Sequence, residues 1–168
     1  MVNVGFPEGL SISMEEIRQR LSVQPDSDLD RLLVAVERDS GDPVGECMLH
    51  LPDGSGIART DIKLLPGSWG RGYGTELKRG LLAYLFSKTE CSSVEATPNR
   101  KNLRSIRMQE AVGGERVGEG TFTFPPGGRE ATNPVHYLVY RVTRNAWEKE
   151  DRTDSPPPSS DAPSIFLH

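Results

Sequence analysis

Cysteine is scarce. Cys47 and Cys91 are the only two, they share no C-x-x-C spacing, and the chain holds just three histidines to join them as ligands. That excludes a disulfide framework or a cysteine-histidine metal site as the organising feature and leaves two ordinary buried thiols. Long apolar runs are missing as well. No stretch approaches the roughly 20 residues that cross a bilayer, and no basic-then-apolar leader precedes a small-residue cleavage site. A cytoplasmic protein with no membrane partner is the expectation. Positive charge is not in excess either: the net charge of −4 argues against a nucleic-acid partner. Internal repeats are absent.

What the chain does have is enough apolar residues, 35% of 168, for one domain with a proper core. Its charge is unevenly spread. Residues 59–107 hold ten Lys/Arg against four Asp/Glu, so this segment is basic and the remainder carries an acidic surplus. The basic segment also contains the densest glycine cluster, Leu64-Leu65-Pro66-Gly67-Ser68-Trp69-Gly70-Arg71-Gly72-Tyr73-Gly74-Thr75.

That cluster joins an apolar strand to an amphipathic helix. Glycines there let the backbone reach positive φ and leave N–H groups free to converge on an anion. The helix that follows adds its unpaired first-turn donors and the positive end of its dipole. A phosphate cradle is the reading. A Walker loop would need Gly-Lys-Ser/Thr where Gly74-Thr75-Glu76 stands, and a dinucleotide fingerprint from Gly70 would need a glycine at Thr75.

Around the loop, alternation and turn residues predict an antiparallel meander with strands at 32–37, 44–51 and 57–65. A short helix is predicted before it, over 13–21, from Ser13 as N-cap and Glu16 as its capping-box partner. After the loop come a helix at 75–87, a strand at 93–97 stopped by Pro98, and a helix at about 101–112 ended by Gly113-Gly114. Gly80 interrupts the first of these helices, and close packing is its expected reason. A hairpin of strands at 116–122 and 135–142 closes the domain, 1–148. The Pro/Ser-rich segment 149–168 is expected to be disordered.

The motif Trp69-Gly70-Arg71-Gly72-Tyr73-Gly74 resembles the acetyl-CoA loop of the GNAT N-acetyltransferase superfamily, with Trp69 in place of the usual Gln or Arg. Asn102-Leu103-Arg104-Ser105-Ile106-Arg107-Met108 followed by Gly113 is similar to that family's second motif. The wording of 69–76 and the closing 140–147 resemble the branch of ribosomal-protein alanine N-acetyltransferases. The resemblance implies an α/β (α+β) fold, a mixed and mostly antiparallel twisted sheet with helices on both faces. The usual first strand and helix have no counterpart here; a partner subunit, for instance in a homodimer, would be one source of the missing surface. Gln109 stands where many members carry a tyrosine acid, and Gly114 replaces an aromatic.

The implied activity is acetyl transfer from acetyl-CoA (coenzyme A) to a primary amine by direct attack in a ternary complex. A peptide or protein N-terminus is the first expected acceptor. A small amine such as an aminoglycoside or polyamine, or a non-catalytic acyl-CoA-binding role, is the alternative. By the same resemblance, backbone groups around Ile62, Leu64 and Leu65 would bind the pantetheine. The N–H groups from Gly70 through Arg71, Gly72, Tyr73 and Gly74 to Thr75, beside Trp69, would bind the pyrophosphate. Ser105 matches a serine placed near the thioester sulfur as general acid, or is a small residue that lets the helix pack. Asn102 reaches the pantetheine or caps its helix. For the general base, Asp61 lies on the opposite strand face from Thr60, Ile62 and Leu64, with Glu119 and Glu46 as rivals. His136 and Tyr137 point to opposite faces of their strand, and either is a groove residue or a plain sheet residue.

Overall fold

A computed structural model describes residues 30–123 and 134–153. The predicted helix over 13–21, the loop at 124–133 and the tail from 154 lie outside the described residues. Strands β1 (Asp30–Val36), β2 (Pro43–His50) and β3 (Ile57–Leu64) form the expected meander. Gly41 and Gly56, both at positive φ, make its two turns. Helix α1 (Tyr73–Lys88) crosses to β4 (Ser93–Ala96), and α2 (Leu103–Glu110) leads to the hairpin β5 (Glu115–Phe122) and β6 (Val135–Thr143).

These strands make one six-stranded sheet in the order β1-β2-β3-β4-β6-β5. Every pairing is antiparallel except β3 with β4, which the α1 crossover requires to be parallel. The core forms where α1 lies on the sheet. Leu77, Leu81, Leu82 and Leu85 meet Cys47, Leu49, Ala58, Val94 and Val142, all buried. Each such leucine contributes about 1.5 to 3 kcal/mol by leaving water.

Three boundaries differ from expectation for local reasons. Helix α1 starts two residues early because Gly72 itself takes the N-cap position. Helix α2 is shorter than expected because Asn102 caps it. The segment after Trp147 does not turn irregular at 149. Helix α3 (Arg144–Thr153) runs on, and Thr143 Oγ1 accepts the Ala146 N–H at 3.2 Å to start it. Trp147 anchors α3 on Phe86, with ring centroids 6.1 Å apart. Gly80 has nothing within 4 Å of where a Cβ would sit, so close packing does not account for it. Nothing in the structure explains that glycine.

Candidate functional site

The glycine loop leaves β3 through a 3-10 turn at Pro66–Ser68 and enters α1 at Gly72. Gly70 and Gly72 have φ of 74° and 86°, a region that an L side chain adopts only with strain. Gly72 brings no capping side chain. The first helical N–H to find a carbonyl is that of Glu76, 3.2 Å from Gly72 O, so those of Tyr73, Gly74 and Thr75 emerge from the helix end. A Cβ at Gly74 would lie 3.2 Å from Met108 Sδ of α2 and 3.5 Å from Leu64 Cδ1. Strand end, helix start and α2 therefore converge on one small residue.

Beside the loop the sheet opens. Strands β3 and β4 pair only from Ile57–Ser93 to Arg59–Glu95, after which β4 follows β6. The Leu65 N–H donates to Val44 O at 2.9 Å, so the odd-numbered groups of β3 face β2. Backbone groups of Ile62 and Leu64 accordingly face the open edge, beyond the last pairing of β3 with β4 at Arg59–Glu95. This is the expected placement for Ile62 and Leu64 but not for Leu65, whose N–H is committed to β2. Trp69 Nε1 donates to Leu64 O at 3.1 Å, and the Arg104 guanidinium covers the indole at 4.9 Å. The tryptophan thus ties the loop to both β3 and α2.

Arg71 takes a position that sequence reasoning missed. Its Nη2 lies 3.0 Å from Glu37 Oε1, and its guanidinium lies over the Tyr73 ring. The same carboxylate accepts from the Tyr73 hydroxyl. That bond, then Ser40 and Arg71, holds the Glu37 carboxyl below its ordinary range, while the shared bond raises the Tyr73 phenol. Glu37 ends the first strand in the sequence, and only the fold brings it 34 residues along the chain to the loop.

On α2, Asn102 Oδ1 accepts the Ser105 N–H at 3.1 Å, so its side chain acts as the helix cap. Ser105, three residues before Met108, shares the helix face turned toward Gly74. Gln109 is buried, and Gly114 is required beside it: an added Cβ would lie 2.6 Å from Gln109 O.

The three carboxylates do not gather. Register carries Arg59, Glu95, Arg141 and Tyr137 onto the sheet face that bears Asp61 and Glu46. Lys63 Nζ bridges these two, 3.2 Å from Glu46 Oε1 and 3.6 Å from Asp61 Oδ2. Glu119 lies elsewhere. A bulge between Arg116 and Gly118 sets it opposite Leu138, on the other face, where it is exposed and paired with Arg116. Three strand spacings, about 14 Å, also separate β5 from β3. Glu119, the rival base, therefore lies apart from Asp61 and Glu46. Tyr137 lies on the Asp61 face across Gly120, whereas His136 points away and meets Thr121.

Two further groups bear on the chemistry. Burial, with the fields of Asp61 and Glu46, pushes the Cys47 thiol up to about 12, which removes it as a nucleophile. Lys78 is 1% exposed, and its Nζ lies 2.6 Å from Thr60 Oγ1. Desolvation lowers its pKa to about 7 against the opposing field of Asp61. A signal for it existed: Lys78 stands four residues before Leu82 and seven before Leu85, inside the apolar stripe.

Residues 3–115 match the acetyltransferase (GNAT) domain family. Over 125 residues the chain is 33% identical to an aminoglycoside N(6')-acetyltransferase type 1 from Serratia marcescens, covering 67% of this chain and 57% of that protein. The chain spans little more than half the length of such relatives. Among solved structures, a GNAT-family acetyltransferase from Bacillus anthracis superimposes with a TM-score of 0.67 at 20% identity, covering 83% of this chain and 80% of that one. Aminoglycoside acetyltransferase AAC(6')-Ib in complex with coenzyme A gives 0.55 at 29% identity, covering 73% and 70%, and is also solved with kanamycin. The named acceptors are aminoglycosides and not ribosomal-protein N-termini, so these matches do not carry the ribosomal branch drawn from residues 69–76 and 140–147.

Proposed function

We propose that this chain, which belongs to the acetyltransferase (GNAT) family, acts as an acetyl-CoA-dependent N-acetyltransferase on a primary amine of a small polycationic compound of the aminoglycoside type. The observation that carries this reading is the meeting of an uncapped helix end with an opened strand edge at Gly74. Both fit a cofactor with a pyrophosphate and an amide-bearing arm. First-turn N–H groups of Tyr73, Gly74 and Thr75 suit the pyrophosphate, where a helix end contributes about 0.3 to 1 kcal/mol per charge. The edge groups of Ile62 and Leu64 suit the arm by strand-like pairing.

Bound acetyl-CoA would supply the acyl group activated as a thioester. Asp61 is the proposed base. It takes a proton from the acceptor ammonium, directly or through a water, so that a neutral amine attacks. Glu46 lies buried beside it, and Lys63 bridges the two carboxylates, which fixes the position of Asp61 on this face. Ser105, on the α2 face turned to the loop, is the proposed donor to the departing sulfur. Relatives named for aminoglycosides support the small-amine acceptor over the peptide N-terminus first expected. Neither that peptide nor a homodimer has comparable support.

The test is a calorimetric titration with coenzyme A, followed by thiol release from acetyl-CoA with kanamycin, spermidine and an alanine-leading peptide. Binding with release for kanamycin is expected. Release for the peptide alone would replace the acceptor, release for none would favour a binding role, and failure to bind coenzyme A would overturn the reading.

A further inference from the structure

Lys78 is the one charged residue type in the buried face of α1, whose other buried side chains are Leu77, Leu81, Leu82, Leu85 and Phe86. An amine among leucines opposes folding, because the charge must be given up or left poorly solvated. An apolar side chain of similar size would pack there without that cost. Stability therefore gives no reason for the pair that Lys78 makes with Thr60.

Position does. Thr60 is the first residue of β3 beyond its last pairing with β4, Arg59 opposite Glu95. Its backbone is turned toward β4 where the two strands part, and its side chain faces α1, where Oγ1 accepts from Lys78 Nζ at 2.6 Å. Thr60 thus sits at the closed end of the splay, while the helix N-terminus sits at the mouth. The four residues from Thr60 to Leu64 span about 13 Å of strand edge between the two. A cofactor arm entering at the mouth brings its reacting end to Thr60.

We propose that Lys78 is a positioning residue for the acyl donor: by bonding to Thr60 Oγ1 it orients the threonine hydroxyl so that its own hydrogen is directed to the thioester carbonyl at the closed end of the splay. This rests on the acetyl-CoA reading above. A hydroxyl accepts and donates at once, so the bond from Nζ leaves its hydrogen for a second partner. Among the described residues no other bond to Thr60 Oγ1 competes for it. A donor held by packing in a dry cleft needs no reorganisation when the carbonyl arrives. The established logic of the loop concerns the phosphates; this pair concerns the acyl end.

Titration calorimetry with the full chain separates the two, using coenzyme A and acetyl-CoA in turn. The native chain is expected to bind acetyl-CoA about 2- to 10-fold more tightly than coenzyme A, the range of one hydrogen bond. Thr60→Val and Lys78→Met should each bring that ratio to about one with coenzyme A affinity nearly unchanged, and Thr60→Ser should keep it. A ratio that is the same in the native chain and both variants, with coenzyme A still bound, overturns the role of Lys78 and leaves the cofactor reading standing. Failure of the native chain to bind either compound overturns both. Should Lys78→Met not fold, Thr60→Val against Thr60→Ser makes the same comparison.

Discussion

Lys78 and Thr60 form a polar pair inside an otherwise apolar helix-to-sheet contact, 2.6 Å apart. Its energetic signature is a pH dependence. The folded-state pKa of Lys78, about 7, lies below the ordinary 10.5. Between those values the unfolded chain holds a proton that the folded chain lacks, so stability rises with pH across the window and is flat on either side. The span is of order a few kcal/mol. Lys78→Met should be more stable than the native chain at neutral pH, and the difference should shrink toward pH 10. Urea unfolding of both proteins from pH 6 to 10 checks this; a pH-independent difference would refute it.

Arg144 gathers three carbonyls at the far end of α1. Its Nη1 donates to Phe86 O at 2.6 Å, Nη2 to Thr89 O at 2.7 Å and Nε to Cys91 O at 3.0 Å. Arg144→Ala strands all three acceptors and should lower stability by about 2 to 4 kcal/mol. Arg144→Lys should recover only part of it, because one ammonium cannot reproduce the planar fork. Thermal unfolding of the two variants makes the comparison.

Two glycines of the loop-helix unit should respond oppositely. Gly80 is exposed in mid-helix with open space around it, so Gly80→Ala should stabilise by about 1 kcal/mol and leave coenzyme A affinity unchanged. Gly72, at φ 86°, should lose about 1 to 3 kcal/mol on conversion to Val and lose cofactor affinity with it. Equal affinity in Gly72→Val would take the loop out of the site.

The separation of Asp61 from Glu119 by face predicts unequal kinetics. Asp61→Asn should lower kcat/KM for the amine by about 100-fold or more, as for loss of a general base. Glu119→Gln, which breaks an exposed ion pair, should change it by less than about twofold. Initial rates with kanamycin and acetyl-CoA decide, and similar losses in both variants would contradict the placement.

Much of this architecture was legible because local signals agreed: alternation at 44–51 and 57–65, the stripe of Leu77, Leu81 and Leu85, and glycines where strand gives way to helix. What escaped depended on distant contacts or on one extra residue. Glu119 follows a bulge, and a single inserted residue turns every later side chain to the other face, which a strict period of two does not anticipate. Glu37 reaches Arg71 only through the sheet. Helix α3 is polar over most of its surface, so the same composition that suggested disorder beyond 148 conceals a helix held by Thr143 and Trp147. Leu65 turns its N–H to β2 and away from the edge that Leu64 faces, since neighbours on a strand direct their backbone groups to opposite edges.

The two ends of α1 are finished differently. Arg144 seals one with a fixed cation, while Gly72 leaves the other without a side chain to answer its N–H groups. On the proposed reading such a helix is completed by its ligand. Part of the stability that other helices take from their own sequence would then arrive with the anion, and occupancy would raise the stability of the fold by mass action.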